Sequence, residues 1–298
     1  MYFGNRVQFE VPDLKQLNQN HTVVDMHFHS HFSDGQNSID KIAGRARKLN
    51  IGIAVTDHNE IRGAMEIDLY KDIFSIPGIE LTAAEGSHLL VYFYQTSDLK
   101  RFYEREVLPN MGSSVMRSLG LTMEEAIERA HKYRCVIIFP HPYCAAYTGV
   151  CNLQFSKHKL NQLLNMVNGV EVINASNLNK WNLKSGILGF NLGNAMVGGS
   201  DGHALNHMGR AVTYAKCSKT RHDFLEAVAL GANKVVGKEI ALFNKLAATS
   251  AKLGYNVFKV RDLIEKNVRY SSKMVNLKSQ SVYKRLKRII FQHMHITI

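Results

Sequence analysis

Residues 25–35 read DMHFHSHFSDG and directly follow an apolar run, TVV, at residues 22–24. The pattern predicts a β-strand that ends near Phe28. His27 and His29 then lie at the end of that strand, and Asp34 lies in the loop beyond it. Imidazole and carboxylate groups are suitable ligands for borderline divalent cations such as Zn, Mn or Fe. This stretch therefore predicts a strand that brings metal ligands to one edge of a sheet.

Five further short motifs carry the same residue types near other apolar runs. They are VTDHNE at 55–60, IPGIEL at 76–81, SHLLVYF at 87–93, FPHPY at 139–143 and GGSDGH at 198–203. With the first motif they supply six imidazoles and three carboxylates, namely His27, His29, Asp34, His58, Glu80, His88, His141, Asp201 and His203. A lone histidine on an apolar strand is more often a core residue, and a lone Asp-Gly is more often a turn. The whole series instead favours metal binding.

Short β-branched apolar runs alternate with helical patterns along the chain, which predicts repeated βα units. The candidate strands are Thr22–Phe28, Ile51–Thr56, Phe74–Leu81, His88–Tyr94, Val136–Pro140, Val170–Ala175 and Ala195–Gly199. Two candidate helices are Ser38–Leu49, with Ser38 as N-cap, and Thr122–Tyr133, in which Thr122 and Glu125 have capping-box spacing.

All of the candidate ligands except His88 lie at or just past the C-terminal end of a predicted strand. Parallel α/β barrels gather their active sites at that end. His88 instead begins its strand, so strand position alone does not explain its place in the series.

Composition is ordinary for a globular protein, with 298 residues, 45% hydrophobic and 21% charged. This length accommodates one α/β domain and an appendage. The four cysteines (Cys135, Cys144, Cys151 and Cys217) show no C-x-x-C pair and no disulfide-framework spacing, which favours reduced thiols. No signal-like apolar segment begins the chain, and no apolar run approaches the ~20 residues of a membrane span. We therefore expect a cytoplasmic protein, with peripheral attachment at the inner membrane surface left open.

Positive charge is concentrated at the end of the chain. Residues 241–298 hold 12 Lys and Arg against 2 Asp and Glu, within a total net charge of +12. Residues 282–296, VYKRLKRIIFQHMHI, form a basic amphipathic pattern. Three interpretations of this tail remain open: a helical cap that packs on the main domain, a nucleic-acid contact, or attachment to an anionic membrane surface.

The order and spacing of these motifs resemble those of the PHP (polymerase and histidinol phosphatase) superfamily of metal-dependent phosphoesterases, from about Val23 to about Thr213. Within that superfamily HSHFSDG, TDHNEIRG and SDGH are more similar to the stand-alone trinuclear nucleotidase and exonuclease branch than to histidinol phosphatases. The resemblance implies an α/β fold, a distorted (β/α)7 barrel. We expect the barrel over residues 1–237 and a basic helical C-terminal extension over residues 238–298.

The resemblance also implies three divalent ions, which would be Mn, Fe or Zn. It assigns His27, His29, Glu80 and Asp201 to the first ion, the other oxygen of Glu80 with His88 and His141 to the second, and Asp34, His58 and His203 to the third. Three divalent ions against three carboxylates would leave the site at about +3, which suits a phosphate ester and a bridging hydroxide. Asp34 or His203 is then a candidate to protonate the leaving group. Arg210, in MGRAVT, is a candidate to bind a substrate phosphate.

These expectations describe a phosphoric ester hydrolase with a nucleotide or short oligonucleotide as favoured substrate and a metal-bridging hydroxide as nucleophile. Two alternatives remain. One is a phosphatase for a non-nucleotide metabolite or a lipid-linked phosphate. The other is a non-catalytic metal-binding accessory module that acts through its basic tail. The sequence predicts no particular oligomeric state.

Overall fold

The structure is a computed structural model in which residues 4–146, 148–152 and 155–240 are described. The strands are β1 Val7–Gln8, β2 Thr22–Phe28, β3 Gly52–Val55, β4 Gly78–Thr82, β5 His88–Phe93, β6 Cys135–Phe139, β7 Gly169–Asn174, β8 Ala195–Gly199, β9 Ala211–Ala215 and β10 Lys234–Gly237. The α-helices are α1 Leu14–Leu17, α2 Ile39–Leu49, α3 Arg62–Ile67, α4 Thr96–Phe102, α5 Met123–Ala130, α6 Lys157–Asn165, α7 Asn179–Leu192 and α8 Arg221–Ala229. The predicted basic extension lies outside the described residues from residue 241 onward.

The described strands form two five-stranded sheets, with the orders β1-β10-β9-β2-β3 and β4-β5-β6-β7-β8. The predicted α/β class is therefore confirmed, and all seven predicted strands are present. The largest difference in bounds falls on Phe74–Leu81, where regular pairing begins only after Pro77, a residue with no N–H to donate. Strands β1, β9 and β10 were not predicted from the sequence.

Parallel βα repeats account for only part of the pairing. The pairs β2–β3, β6–β7 and β7–β8 are parallel, whereas β4–β5, β5–β6 and β2–β9 are antiparallel. Strand β5 therefore begins at the edge where β4 ends, with His88 paired to Thr82. This antiparallel pairing explains how a histidine at the start of a strand joins ligands that lie at strand ends.

Isolated bridges connect the two sheets. Phe28 bridges Gly202, Ile53 bridges Ser75, and His58 bridges Glu80. The bridges gather the ends of β2, β3, β4 and β8. The described residues contain no single closed sheet, so closure into a seven-stranded barrel stays a prediction.

The two predicted helices are present, and their caps differ. Ser38 precedes α2, but its side chain makes no cap hydrogen bond. At α5 the capping box is complete: the Glu125 N–H donates to Thr122 Oγ1, and the Thr122 N–H donates to Glu125 Oε2. Both helices bury one apolar face, as amphipathic helices packed on sheets do. Among the helices of the described part of the chain, none is long and apolar enough to cross a membrane.

A close approach between β8 and β2 positions the first metal-ligand motif. A Cβ atom built on Gly199 would lie 2.5 Å from the Cβ of His27 and 2.6 Å from its backbone nitrogen. Because backbone cannot move away as a flexible side chain can, only glycine is compatible with this contact. The position of His27 therefore depends on the missing side chain at residue 199.

We expect Gly199→Ala to lower the free energy of unfolding by about 1–3 kcal/mol, since the added methyl group forces β8 away from β2. Chemical denaturation measures this loss. Gly44→Ala is the matched control, because Gly44 lies in α2 with no atom within 4 Å of an added Cβ. That control should raise stability by about 0.5–1 kcal/mol. Equal stability of the two variants would contradict the proposed packing constraint.

Candidate metal centre

The nine candidate ligands converge where the strand ends meet. They form a cluster with a buried base and a more exposed outer part. The side chains of His27, His29 and Glu80 are at most 1% exposed, whereas those of Asp34 and His203 are 19% and 17% exposed. The cluster is therefore deep but open to solvent on one side.

Glu80 occupies the centre of the cluster, and its two oxygens face different histidines. Oε2 lies 3.5 Å from His27 Nε2, 3.4 Å from His29 Nε2 and 3.0 Å from His58 Nδ1. Oε1 lies 2.9 Å from His88 Nδ1 and 3.3 Å from His141 Nε2. A carboxylate in this arrangement can bind one cation through each oxygen.

Asp201 completes the group around the first motif. Its Oδ1 lies 3.1 Å from His29 Nε2 and 3.7 Å from His27 Nε2. The two histidine nitrogens are themselves 3.2 Å apart. The four residues that the resemblance assigns to the first ion are therefore together in the structure.

The third group differs from the expected one. Asp34 Oδ2 lies 3.0 Å from His203 Nε2, but Asp34 Oδ1 is 3.8 Å from His58 Nε2 and 3.7 Å from His29 Nδ1. Ligand atoms of His29, Asp34 and His203 form one close group, and those of His29, His58 and Glu80 form another. His29 is therefore shared between neighbouring groups, and His58 is closer to Glu80 than to Asp34.

The donor atoms fit divalent cations. Glu80 Oε2 and His58 Nδ1 lie 3.0 Å apart and are buried, yet neither makes a hydrogen bond. Buried polar atoms without a hydrogen bond are rare, because they lose their contacts with water without compensation. Lone pairs that face a common space are instead suited to a cation, and carboxylate and imidazole groups match Zn, Mn or Fe.

Electrostatics within the cluster link the carboxylates to the imidazoles. Burial by itself raises the pKa of Glu80, but His88, His58 and His27 lower that pKa well below its usual value. Burial lowers the pKa of His58, but Glu80 and Asp34 raise it to about 9. For His29, burial and then the charge of His203 lower the pKa to about 4. Metal binding requires neutral imidazoles, so it would release protons and weaken as the pH falls.

Two candidate ligands have unusual backbone conformations. His141 has φ 30° and Asp201 has φ 49°, in the left-handed region that non-glycine residues rarely adopt. Each costs about 1–3 kcal/mol and persists where surrounding contacts hold it. The His141 N–H donates to Glu171 Oε2 at 2.8 Å, and Ser176 Oγ donates to the Asp201 carbonyl at 2.8 Å.

Glu171 supports the site and was not anticipated from the sequence. Its Oε1 lies 3.1 Å from His27 Nδ1, and its Oε2 accepts hydrogen bonds from the His141 N–H and from Asn174 Nδ2. Asn174 Nδ2 also donates to Asp201 Oδ2 at 3.1 Å. Glu171 thus contacts His27 and His141 directly and is linked to Asp201 through Asn174. A charged residue within the apolar run GVEVI is the sequence signal that could have identified it.

Two buried aspartates hold the ligand loops. Asp25 accepts hydrogen bonds from the N–H groups of Ser200, His27 and Gly209, and burial raises its pKa to about 6. Asp57 accepts hydrogen bonds from the Ser30 N–H and Oγ and from Ser33 Oγ, at 2.6–2.7 Å. Each precedes a ligand histidine by one or two residues. An aspartate at the end of an apolar run, as in VVDMHF and AVTDH, is the signal that sequence reasoning missed.

Arg210, the predicted phosphate contact, lies exposed at the surface. Its Nε donates to the Asn206 carbonyl at 3.4 Å. Its role in phosphate binding stays a prediction. His31, the third histidine of the first motif, is also exposed, with Nδ1 3.3 Å from the Asn37 carbonyl oxygen.

Removing the charge of Glu171 should weaken metal binding, because the side chain would no longer orient His27 and balance its charge. We expect Glu171→Gln to lower metal affinity roughly 10–100-fold, the effect typical of residues that orient metal ligands. Competition with a chromogenic chelator measures the affinity. The exposed Glu128→Gln is the matched control and should leave metal affinity unchanged. Equal affinities for the two variants would show that Glu171 does not support the site.

Residues 25–172 match the family model of the PHP domain. The matched segment contains seven of the nine candidate ligands, and Asp201 and His203 follow it. No curated protein gives a significant match to the chain.

Solved structures share the fold. A two-domain protein from Bacteroides vulgatus that contains a predicted PHP-like metal-dependent phosphoesterase is 18% identical, with a TM-score of 0.55 over 84% of this chain and 74% of that chain. Endonuclease Q, bound to a 27-mer duplex with an abasic lesion at the active site, is 16% identical, with a TM-score of 0.57 over 77% of this chain and 67% of that chain. The lesion-specific endonuclease PfuEndoQ from Pyrococcus furiosus is 18% identical, with a TM-score of 0.56 over 72% of this chain and 57% of that chain. Identities this low establish a common fold and no more. The family match, the fold and the order of the ligand motifs agree, and the chain belongs to the PHP domain family.

Proposed function

We propose that the protein is a metal-dependent phosphoesterase that hydrolyses nucleotides or short oligonucleotides. The observation that carries the proposal is the position of Glu80, whose two oxygens each face a separate set of histidines in a deep, open cluster. A structural metal site is typically closed by its four ligands, whereas a catalytic site keeps an open side. This cluster is open beside Asp34 and His203.

We propose that three ions, of Mn, Fe or Zn, bind to the nine side chains. Glu80 Oε2 would serve the ion held by His27, His29 and Asp201, and Glu80 Oε1 the ion held by His88 and His141. Asp34, His203 and His58 would hold the third, with His29 close to it. Bound cations would stabilise the negative charge that develops on a phosphoryl group. With about +3 net charge on the loaded site, a phosphate ester is a better substrate than a neutral amide.

Asp34 and His203 are suited to proton transfer. Their side chains are partly exposed, as is that of Asp201, and His203 Nε2 lies 3.0 Å from Asp34 Oδ2. A proton on whichever of the two side chains is not bound to the third ion is accessible both to solvent and to a group leaving on the open side. Either residue is therefore placed to protonate the leaving group, as the general acid of the reaction.

The strands that carry these ligands support a barrel. Bridges Ile53–Ser75 and His58–Glu80 connect β3 with β4, and bridge Phe28–Gly202 connects β2 with the segment after β8. With the pairing inside each sheet, these bridges link β2 to β8 in a ring of seven strands. We infer a distorted barrel with the metal centre at one end.

The favoured substrate rests on two supports. The fold is shared with endonuclease Q, which acts on nucleic acid. The basic residues after position 240 also suit a polyanion. Phosphate release should therefore be measured on a nucleoside 5′-monophosphate and on a 5′-phosphorylated oligonucleotide, with products separated by chromatography.

The products distinguish the candidate activities. Mononucleotides released from the oligomer support an exonuclease, and phosphate from the mononucleotide alone supports a nucleotidase. If neither nucleotide substrate is hydrolysed, sugar and lipid-linked phosphates should be assayed, and their turnover would favour the alternative phosphatase. No turnover of any ester at full metal occupancy would favour a non-catalytic metal-binding module.

We expect Asp201→Asn to lower turnover by about two orders of magnitude or more, because it removes a charge that faces His27 and His29. Steady-state hydrolysis and elemental analysis of bound metal should be measured on the same sample. Asp223→Asn, at a partly exposed position in the first turn of α8, is the matched control. Near-normal turnover of the Asp201 variant with full metal content would rule out the proposed role.

A further inference from the structure

Two half-buried aromatic rings and two exposed lysines lie together near the metal centre. We call Tyr143, Lys180, Trp181 and Lys184 the aromatic–lysine patch. Lys184 Nζ lies 4.6 Å from the centre of the Trp181 ring and 5.8 Å from that of Tyr143. Lys180 Nζ lies 5.2 Å from the Trp181 ring. Both ammonium groups thus lie against aromatic rings.

The backbone places this patch at the edge of the metal centre. Tyr143 follows the candidate ligand His141 by two residues, and its carbonyl accepts a hydrogen bond from Asn177 Nδ2 at 2.7 Å. Trp181 lies in the first turn of α7, which begins five residues after Asn174, the last residue of β7. Since Asn174 also contacts Asp201, the patch and the cluster share the same supporting loops.

The patch carries positive charge that can attract an anionic ligand. Lys180 and Lys184 are exposed, and in the described part of the chain neither forms an ion pair with a carboxylate. Among the described residues, their ammonium groups contact ring faces, and such contacts are weak at exposed sites. A phosphate can attract the lysines away from the rings, which frees an aromatic face for a planar group.

We propose that the aromatic–lysine patch binds single-stranded nucleic acid, with one base stacked on Trp181 or Tyr143 and the adjacent phosphates paired with Lys180 and Lys184. Aromatic faces combined with basic side chains are the usual means of binding single strands without sequence preference. This inference deepens the proposed function and rests on it. The patch would select an oligonucleotide and present its phosphodiester to the metal centre.

A rival occupant is an anionic membrane. Further along α7, Leu183, Ile187 and Phe190 are 37%, 36% and 61% exposed. Lysines at one end of an apolar stripe would suit a lipid surface. The rings adjoin the lysines at the edge of the metal centre, however, so the nucleic acid is the better match, and the membrane becomes an outcome of the test.

Trp181 is the one tryptophan of the chain, so intrinsic tryptophan fluorescence reports on this patch alone. Full-length, metal-loaded protein should be titrated with an oligothymidylate of eight nucleotides, with strand integrity checked by gel afterwards. We expect saturable quenching of Trp181 emission. An abasic oligomer of equal length and charge should quench far less, because it has phosphates and no bases. Equal quenching by both oligomers, or binding without quenching, would overturn the stacking proposal.

Variants then test the contribution to substrate selection. We expect Trp181→Leu to lower the ratio of kcat/KM for the oligonucleotide to that for p-nitrophenyl phosphate by about tenfold, within the range of losing one stacked base. Phe190→Leu, which changes an exposed aromatic residue further along α7, is the matched control and should leave the ratio unchanged. An unchanged ratio for Trp181→Leu would contradict the proposal.

Failure of this inference is distinguishable from failure of the proposed function. Base-dependent quenching without hydrolysis of any ester would support the proposed binding patch and rule out the phosphoesterase activity. Hydrolysis without base-dependent quenching would support the phosphoesterase activity and rule out base stacking on the patch. Phosphatidylserine vesicles that shift Trp181 emission to shorter wavelength and displace the oligonucleotide would assign the patch to a membrane and overturn the nucleic-acid proposal.

Discussion

The buried carboxylate of Glu80 is the constraint on which the site depends. A carboxylate that is 1% exposed has lost its hydration, and that loss is severe unless charges or hydrogen bonds compensate for it. Here the compensation comes from imidazoles on both sides, which lower the pKa of Glu80 despite burial. The histidines in turn need a negative centre or a cation between them. The buried carboxylate and the surrounding imidazoles therefore stabilise each other.

Strand pairing brings the histidines to the buried carboxylate of Glu80. Parallel strands bring β2 and β3 to a common edge, and the antiparallel turn between β4 and β5 brings His88 next to the strand that carries Glu80. A second layer of buried acids then fixes the ligand loops. Asp25, Asp57 and Glu171 accept hydrogen bonds from backbone and side-chain donors next to ligands in several motifs. Strained backbone at His141 and Asp201 is tolerated because these contacts hold both residues.

The cluster has a buried interior and a partly exposed exterior. Its inner ligands are shielded from water, which strengthens electrostatic interactions with any bound cation. Its outer residues, Asp34, Asp201 and His203, are partly exposed to solvent. Chemistry of the kind proposed needs both properties in one site, and substrate choice then rests with residues at the edge of the opening. A fold does not imply a function, so the PHP-type fold itself does not specify the substrate.

Sequence reasoning reached the α/β class, the seven strands, the complete capping box of α5 and a series of histidines and carboxylates that the structure brings together. These features depend on neighbouring residues: alternation marks a strand, and ligand types at strand ends mark a site. The tertiary structure alone decided that β5 runs antiparallel to β4, that His29 lies between two ligand groups, and that Glu171 supports His27. Those features depend on contacts between residues distant in the chain, such as the 144 positions that separate His27 from Glu171. Local periodicity contains no information about such distances, because the same strand pattern permits either pairing direction.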